Sequence, residues 1–395
     1  MADTVILALN SGSSSLKFGL FAAQRGDVRS LCEGSAEGIG SSEGRFWVRD
    51  ATSKFLNDER RAIAGQEEAV HLVAKSLGAL PYQRPAAIGH RIVHGGPHIR
   101  EHRQITPEVM KQLEAAVTFA PLHVPIALEM IRQAQKHFPG VPQFACLDTA
   151  FHRTLTEAAA RFALPQEYWD AGVMRYGFHG LSCESILHSL AENVPARLII
   201  AHLGSGASVT AVANGKSADT TMGLTPSGGI IMGTRTGDLD PGVILHILRT
   251  KKLDVAVLEK LLDKESGMLG ISGKTSGMRE LHELGGDARA QLAVEMFCRS
   301  AKKAIGAYIA LLGGLDLLVF TGGIGENDAI VRERICYGLE PLGISLDPQR
   351  NMSSANTISS DASRVRVAVI PTQEEAQIAR HSLRLLTQAA SRQTL

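Results

Sequence analysis

Four ionisable side chains sit at expected strand ends or in glycine-rich loops. Arg91 lies in His90-Arg91-Ile92-Val93-His94-Gly95-Gly96, and Asp148 follows the apolar run at 141–147. His179 lies in Arg175-Tyr176-Gly177-Phe178-His179-Gly180, and Arg235 in Met232-Gly233-Thr234-Arg235-Thr236-Gly237-Asp238. Any one of them alone reads equally well as half of a structural ion pair or as a solvated loop residue. Together they supply what phosphoryl transfer between two anions demands: cations around a spreading negative charge, a carboxylate for Mg2+, and in-line positioning. Three small-residue turns add candidate anion cradles. Asn10-Ser11-Gly12-Ser13-Ser14-Ser15 is followed by Lys17, and Gly204-Ser205-Gly206 repeats the character without a lysine. Thr321-Gly322-Gly323-Ile324-Gly325-Glu326-Asn327 stands between an apolar run and a helical stretch, whose positive N-terminus can face a phosphate. Glycine turns are common for conformational reasons alone, but three in one chain favour a nucleotide site.

These residues need elements to hold them. Val5-Ile6-Leu7-Ala8-Leu9 reads as a buried strand running into the first turn, and Leu16-Lys17-Phe18-Gly19-Leu20 as the strand leaving it. The same strand, turn, strand plan recurs at 198–202 and 209–212. Its repetition about half a chain apart points to two similar halves from a duplication; two unrelated hairpins are the alternative. Further strands are expected over 87–93, 141–147, 315–320 and 364–370. Helices are expected over 125–137, 287–312, 328–339 and 374–388, the second stopped by Gly313-Gly314. Another opens with Thr106 as N-cap and Pro107 at the first helical position. Alternating strands and helices predict an α/β protein, and the lack of a low-complexity linker predicts domains packed around a cleft.

Composition narrows the function. The chain has 395 residues, with Lys plus Arg at 41, Asp plus Glu at 40 and a net charge of +1, which argues against a bulk nucleic-acid binder. Hydrophobic residues make up 44%, enough for a large core rather than a disordered chain. The five cysteines are odd in number and widely spaced with no CxxC, so neither a disulfide framework nor a zinc site is expected. Met1-Ala2-Asp3-Thr4 carries no basic stretch, and the apolar run at 5–9 is too short for a signal-peptide core. No apolar run reaches the ~18 residues of a membrane span, and a cytoplasmic location is the expectation. GxxxxGK[ST] and GxGxxG are both absent; Gly270-Ile271-Ser272-Gly273-Lys274-Thr275 has too few residues between its glycines. His94, His98 and His102 have the spacing of a metal site on a helix, but Gly95-Gly96-Pro97 breaks any helix there.

Taken in order, these segments resemble the acetate kinase family. The first turn with Leu16-Lys17 resembles its N-terminal signature, and His202-Leu203-Gly204-Ser205-Gly206-Ala207-Ser208 with 232–238 resembles its second. The stretches 175–180, 321–327 and Pro371-Thr372-Gln373-Glu374-Glu375 also match, so the likeness covers nearly the whole chain. The resemblance implies two similar actin-like (ribonuclease H-like) α/β domains, 1–149 with 375–395 and 150–374, and an active site in the cleft between them. It implies Mg2+-dependent, direct in-line transfer from ATP to a short carboxylate, giving ADP and an acyl phosphate, in a homodimer. Asn10 and Glu374 would position Mg2+. Arg91 and Arg235 would grip the carboxylate and the transferring phosphoryl group, with Asp148 orienting metal and reactants. His179, with Arg235, would stabilise the transition state. Ser13, Ser15 and Lys17 would lie by the nucleotide phosphates. So would His202, Leu203, Gly204, Ser205 and Gly206. Gly277, Met278 and Arg279 would flank the nucleotide together with Gly323, Ile324, Gly325, Glu326 and Asn327. His123 would support the site. Val93, Leu122, Phe178 and Pro226 would line the alkyl pocket.

Three positions depart from the family pattern. Ser205 stands for the usual Asn, Gly277 for an Asp that contacts the nucleoside, and Ser227-Gly228-Gly229 for Leu-Glu-Gly. The first two bear on nucleotide preference, although Arg279, Gly323 and Ile324 match and favour ATP; the third bears on the carboxylate pocket. A pocket that merely fits a methyl group discriminates weakly, because one methylene is worth only ~1–3 kcal/mol. A propionate or butyrate kinase is therefore the nearest alternative to an acetate kinase, and a kinase using another donor such as pyrophosphate stands further off. From another class, a chaperone-like or filament-forming ATPase would not require Arg91 with Arg235, and a binding module without turnover would need none of the catalytic set.

Overall fold

The computed structural model describes residues 4–393 apart from 13 and 83. The chain forms two compact units, Met1–Ala150 with Gly180–Ser185 and Gln373–Leu395, and Phe151–His179 with Ile186–Thr372. In the first unit the apolar run after Thr4 becomes β1 (Val5–Ser11). It lacks polar alternation because both faces are covered. Val5, Leu7 and Leu9 join one core cluster with Phe18, Val70 and Met130. Ile6 and Ala8 join another with Phe144, Leu181 and Ile378. The remaining strands are β2 (Ser15–Gln24), β3 (Asp27–Glu37), β4 (Arg45–Asp50), β5 (Phe55–Arg60), β6 (Ala87–Ile92), β7 (Arg103–Gln104) and β8 (Gln143–Leu147). They form an eight-stranded sheet in the order β5-β4-β3-β2-β1-β6-β8-β7.

The second unit holds β9 (Arg197–Leu203), β10 (Ala207–Ala213), β11 (Lys216–Thr220), β12 (Leu317–Thr321) and β13 (Arg366–Val369), ordered β11-β10-β9-β12-β13. β11, β10 and β9 are antiparallel neighbours, while β12 is parallel to both β9 and β13. The run β3-β2-β1-β6-β8 of the first unit has the same order and the same strand senses. The duplication expected from the two small-residue turns is thus written in the sheets, with β4, β5 and β7 added to the first copy.

Local chemistry fixes most helix ends. Thr106 caps the helix Pro107–Ala115 by accepting the Val109 N–H. Asp287 caps Ala288–Leu312 by accepting from Arg289 and Ala290, and Gly313 ends it at φ +68. Other expectations need correction. The glycine-rich segment at 321–327 is not a loop: Gly322–Asn327 is a short helix, opened by Gly322 at φ +78. Glu326 Oε1 accepts the Gly322 N–H at 2.8 Å and closes a turn that glycine propensity alone would not favour. The following helix is Ala329–Cys336 rather than 328–339, because Asp328 caps it from outside and Gly338 at φ +78 stops any continuation. β8 starts at Gln143 rather than 141. Residues 94–102 contain no helix, as Gly95-Gly96-Pro97 requires.

Candidate active site

The candidate residues fall into two sets, one in each unit. In the first, β1, β6 and β8 are parallel neighbours, so Asn10, Arg91 and Asp148 come together at or near their carboxyl ends. This is where open α/β sheets bind ligands. Arg91 donates from Nε and Nη2 to Asp148 Oδ2 at 2.8 and 2.6 Å, and from Nη1 to Asn10 Oδ1 at 3.3 Å. Asn10 Nδ2 donates to Glu374 Oε2 at 3.0 Å and to Glu375 Oε1 at 2.8 Å. Lys17 stands opposite Asn10 in the β1–β2 register, and Gly12 N–H closes the turn onto Ser15 O at 2.8 Å. Ser13 lies outside the described residues.

The charges of this set are unbalanced. Asp148, Glu374 and Glu375 share one guanidinium. Burial pushes the Asp148 carboxyl up to about 6, against the pull of Arg91 and with the help of Glu374. Burial, then the neighbouring Glu374, also raises Glu375. Burial opposes charge on Arg91, but Asp148 and Glu374 outweigh it and hold the guanidinium above its ordinary value. Asp148 is fully buried, and its Oδ1 is a buried oxygen with no hydrogen-bond partner. An excess of hard oxygen donors around one such orphan is suited to a divalent cation such as Mg2+.

In the second unit His179 occupies the left-handed region, φ +57, immediately before the helix Gly180–Leu190. A non-glycine residue there is strained and persists only when its surroundings fix it. Several bonds do so. His152 Nε2 lies 2.9 Å from Phe178 O while its Nδ1 lies 2.8 Å from Ser217 Oγ. Arg175 donates to the carbonyls of Thr220, Thr221 and Met222. Gly177, at φ +71, leaves no room for a side chain, since a Cβ would lie 2.6 Å from the His152 ring. The His179 ring stacks on His202 with centroids 4.2 Å apart, and its Nδ1 lies 3.0 Å from Ser208 Oγ. A Cβ built on Gly206 would lie 3.4 Å from His179 Nε2 and 3.5 Å from Arg235 Nη1. Both groups therefore converge on the same turn. Arg235 Nη1 also donates to Pro226 O at 3.2 Å.

The nucleotide candidates of this unit gather around the end of β9. A Cβ on Gly322 would meet Leu203 O at 2.7 Å and His202 Nε2 at 3.2 Å, so the helix 322–327 abuts the 202–206 turn. Glu326 braces that helix, accepting the N–H of Thr372 at 3.0 Å as well as that of Gly322. Asn327 donates to Gly323 O at 3.0 Å. Gly277, Met278 and Arg279 open the helix Met278–Glu283; His282 ties it to Asp328 at 2.9 Å, just beyond 322–327. Met278 is buried, whereas Arg279 is exposed and paired with Glu283 at 3.2 Å. Of the pocket candidates, Val93 and Leu122 belong to the first unit, and Phe178 and Pro226 to the second.

The model of the acetokinase family matches residues 5–380. The chain belongs to this family. It is 43% identical to an acetate kinase of Methylocella silvestris, over 98% of this chain and 99% of that one. It is 41% identical to a propionate kinase of Escherichia fergusonii, over 96% of each. Among solved structures, the acetate kinase of Porphyromonas gingivalis superposes with a TM-score of 0.85 at 36% identity, over 97% of this chain and 100% of that one.

The acetokinase-family match spans every candidate site residue of both units. Glu375 was missed as a ligand candidate although it adjoins Glu374 and shares Asn10 with it; two acidic residues opening one helix were the available signal. His152 and Ser208 carried no signal, because what they hold becomes visible only in three dimensions.

Proposed function

We propose that this chain is an acetate kinase that transfers the γ-phosphoryl group of ATP directly to acetate, giving acetyl phosphate and ADP. The observation that carries the reading is the Asn10–Arg91–Asp148–Glu374 cluster: an anion-gripping guanidinium set among metal-suited oxygens at strand ends, in a chain of the acetokinase family. A carboxylate is already a nucleophile at neutral pH, so the site needs no strong general base. An acetate oxygen forms a bond to the γ-phosphorus as the bond from that phosphorus to the ADP oxygen breaks. Arg91 and Arg235 offset the repulsion between the two anions, and His179 hydrogen-bonds the oxygens on which charge spreads. Asn10, Glu374, Glu375 and Asp148 are the residues that would hold Mg2+, which supplies neutralising charge to the phosphates. Val93 and Leu122 in the first unit, and Phe178 and Pro226 in the second, are the apolar candidates for contact with the methyl group. Ser15, Lys17 and the turns at 202–206, 277–279 and 322–327 hold the nucleotide.

Propionate is the second reading, favoured by the propionate kinase relative at nearly the same identity as the acetate kinase one. The family likeness supports a homodimer. Among the described residues no helix is long and apolar enough to cross a membrane, which is compatible with a cytoplasmic enzyme. The test is acyl-hydroxamate formation from Mg-ATP with acetate, propionate and butyrate in parallel, with ATP loss followed in the absence of any acid. The highest kcat/KM with acetate supports the reading. A higher value with propionate moves the chain to the second reading, and ATP loss without hydroxamate removes both.

A further inference from the structure

Within the first unit a carboxylate and two imidazoles far apart in sequence meet. Glu184 Oε1 lies 3.3 Å from His102 Nε2, and Glu184 Oε2 lies 2.7 Å from His381 Nε2. Their ligand atoms are close enough together to hold a metal ion, but the hydrogen bond on the far side of the His102 ring argues otherwise. His102 Nδ1 accepts the N–H of Leu147 at 3.0 Å. His381 Nδ1 faces Arg384 Nη2 at 3.2 Å, and an arginine can only donate. The His102 Nδ1 therefore carries a lone pair, and that neutral ring carries its proton on Nε2, aimed at Glu184. His381 faces a donor at each nitrogen, Arg384 at Nδ1 and the Gln377 amide N–H 2.9 Å from Nε2, so its contacts suit either tautomer. A metal-bound imidazole has the opposite arrangement, with the lone pair on the metal and the other nitrogen donating. The cluster is a carboxylate that accepts the His102 Nε2–H and lies 2.7 Å from His381 Nε2. Burial alone would raise the Glu184 carboxyl, but the bonds from His102 and His381 outweigh it and keep it ionised.

What the clamp joins is the active-site candidates. Leu147, fixed by His102, directly precedes Asp148, and Asp148 O accepts the Gly180 N–H at 2.8 Å. His381 lies on the helix that opens with Glu374 and Glu375. Ser185 Oγ, beside Glu184 in sequence, accepts the N–H of Gln373 at 3.2 Å, one residue before that helix. One short stretch, 180–185, thus holds both the end of β8 and the start of the terminal helix.

We propose that Glu184, through His102 and His381, is a positioning residue that sets the Arg91–Asp148 pair against the Glu374–Glu375 carboxylates. The inference rests on the kinase reading of that site. A displacement of about 1 Å originating away from the chemistry can cost on the order of 10²-fold in rate. The test is Glu184→Gln, which keeps volume but presents an amide N–H to an imidazole N–H, with Glu184→Ala beside it. At saturating substrates kcat should fall by about tenfold or more, and the Mg2+ concentration for half-maximal rate should rise severalfold. KM for acetate should stay within about twofold. Wild-type Mg2+ dependence and kcat in a variant with a lowered melting temperature would reduce Glu184 to a structural clamp and overturn the proposal. Two readouts stand apart from turnover. The 15N shifts of His102 should report its Nε2–H tautomer, and titration with ZnCl2 should show no binding lost on Glu184→Ala. An Nδ1–H tautomer, or zinc binding that requires Glu184, would overturn the assignment. Absence of acyl phosphate from the wild type would instead remove the kinase reading while leaving the tautomer result to stand or fall alone.

Discussion

Replacing Arg91 with alanine strips two charge-assisted donors from Asp148 Oδ2 and one donor from Asn10 Oδ1. Asp148 is fully buried, so the variant keeps a carboxylate with no cation beside it. Breaking a buried pair by removing one partner costs about 3–5 kcal/mol. Against a typical stability of about 5–15 kcal/mol, the chain should still fold. The loss should also depend on pH. Asp148 in the folded chain sits near pH 6, above its ordinary value. The folded state therefore binds its proton more tightly than the unfolded state, and stability falls as pH rises from about 4 through 6. Arg91 pulls that value down, so its removal should carry the decline further up the pH scale. The melting temperature of Arg91→Ala should accordingly drop more between pH 6 and pH 8 than that of the wild type. The kinetic effect should be larger: loss of one preorganised group on the transition-state charge costs on the order of 10²–10³-fold in kcat. Hydroxamate formation at saturating ATP, with thermal melts at the two pH values, measures both. Turnover within tenfold of the wild type would refute the catalytic role and leave Arg91 as a structural partner of Asp148.

Other expectations follow from single positions. His179→Ala should lower kcat more than it raises KM, in steady-state assays over both substrates; a change in KM alone would make His179 a ground-state binding group. Gly206→Ala puts a methyl group at ordinary contact distance from His179 Nε2 and Arg235 Nη1. Its melting temperature should stay within a few degrees of the wild type while kcat falls by about tenfold or more, because the methyl occupies the point on which both groups converge. Gly177→Ala forces a side chain onto a φ of +71 and against the His152 ring. It should destabilise the chain by about 1–3 kcal/mol in denaturant titration, and a variant as stable as the wild type would show that the 175–180 segment is less constrained than its bonds imply.

The parts of this chain that were legible in sequence are those where local chemistry and tertiary structure agree. β1 and β9 announce themselves as apolar runs entering small-residue turns, and the sheets built on them repeat one plan. The caps at Thr106 and Asp287 are equally direct. Where the two disagree, sequence misleads. The segment 322–327 is too glycine-rich to read as a helix, yet the Glu326 carboxylate closes its first turn. β5 is mostly exposed, so its Asn-Asp-Glu-Arg run carries no alternation to mark it as a strand. The candidate site was legible through a resemblance and through charged residues at strand ends and in glycine-rich loops, which named Arg91, Asp148, His179 and Arg235. Glu375 was hidden behind its neighbour. His102, Glu184 and His381 could not be grouped at all, because only folding brings residues so distant in the chain onto one carboxylate.

A carboxylate oxygen of acetate should take up the γ-phosphoryl group of ATP and become the bridging oxygen of acetyl phosphate. Acetate labelled with 18O in its carboxylate, incubated with the enzyme and Mg-ATP, tests this by 31P NMR. The acetyl phosphate resonance should be shifted by one bridging 18O and the β-phosphate of ADP should be unshifted. ADP formed without any acetyl phosphate, or acetyl phosphate carrying no 18O at phosphorus, would contradict it.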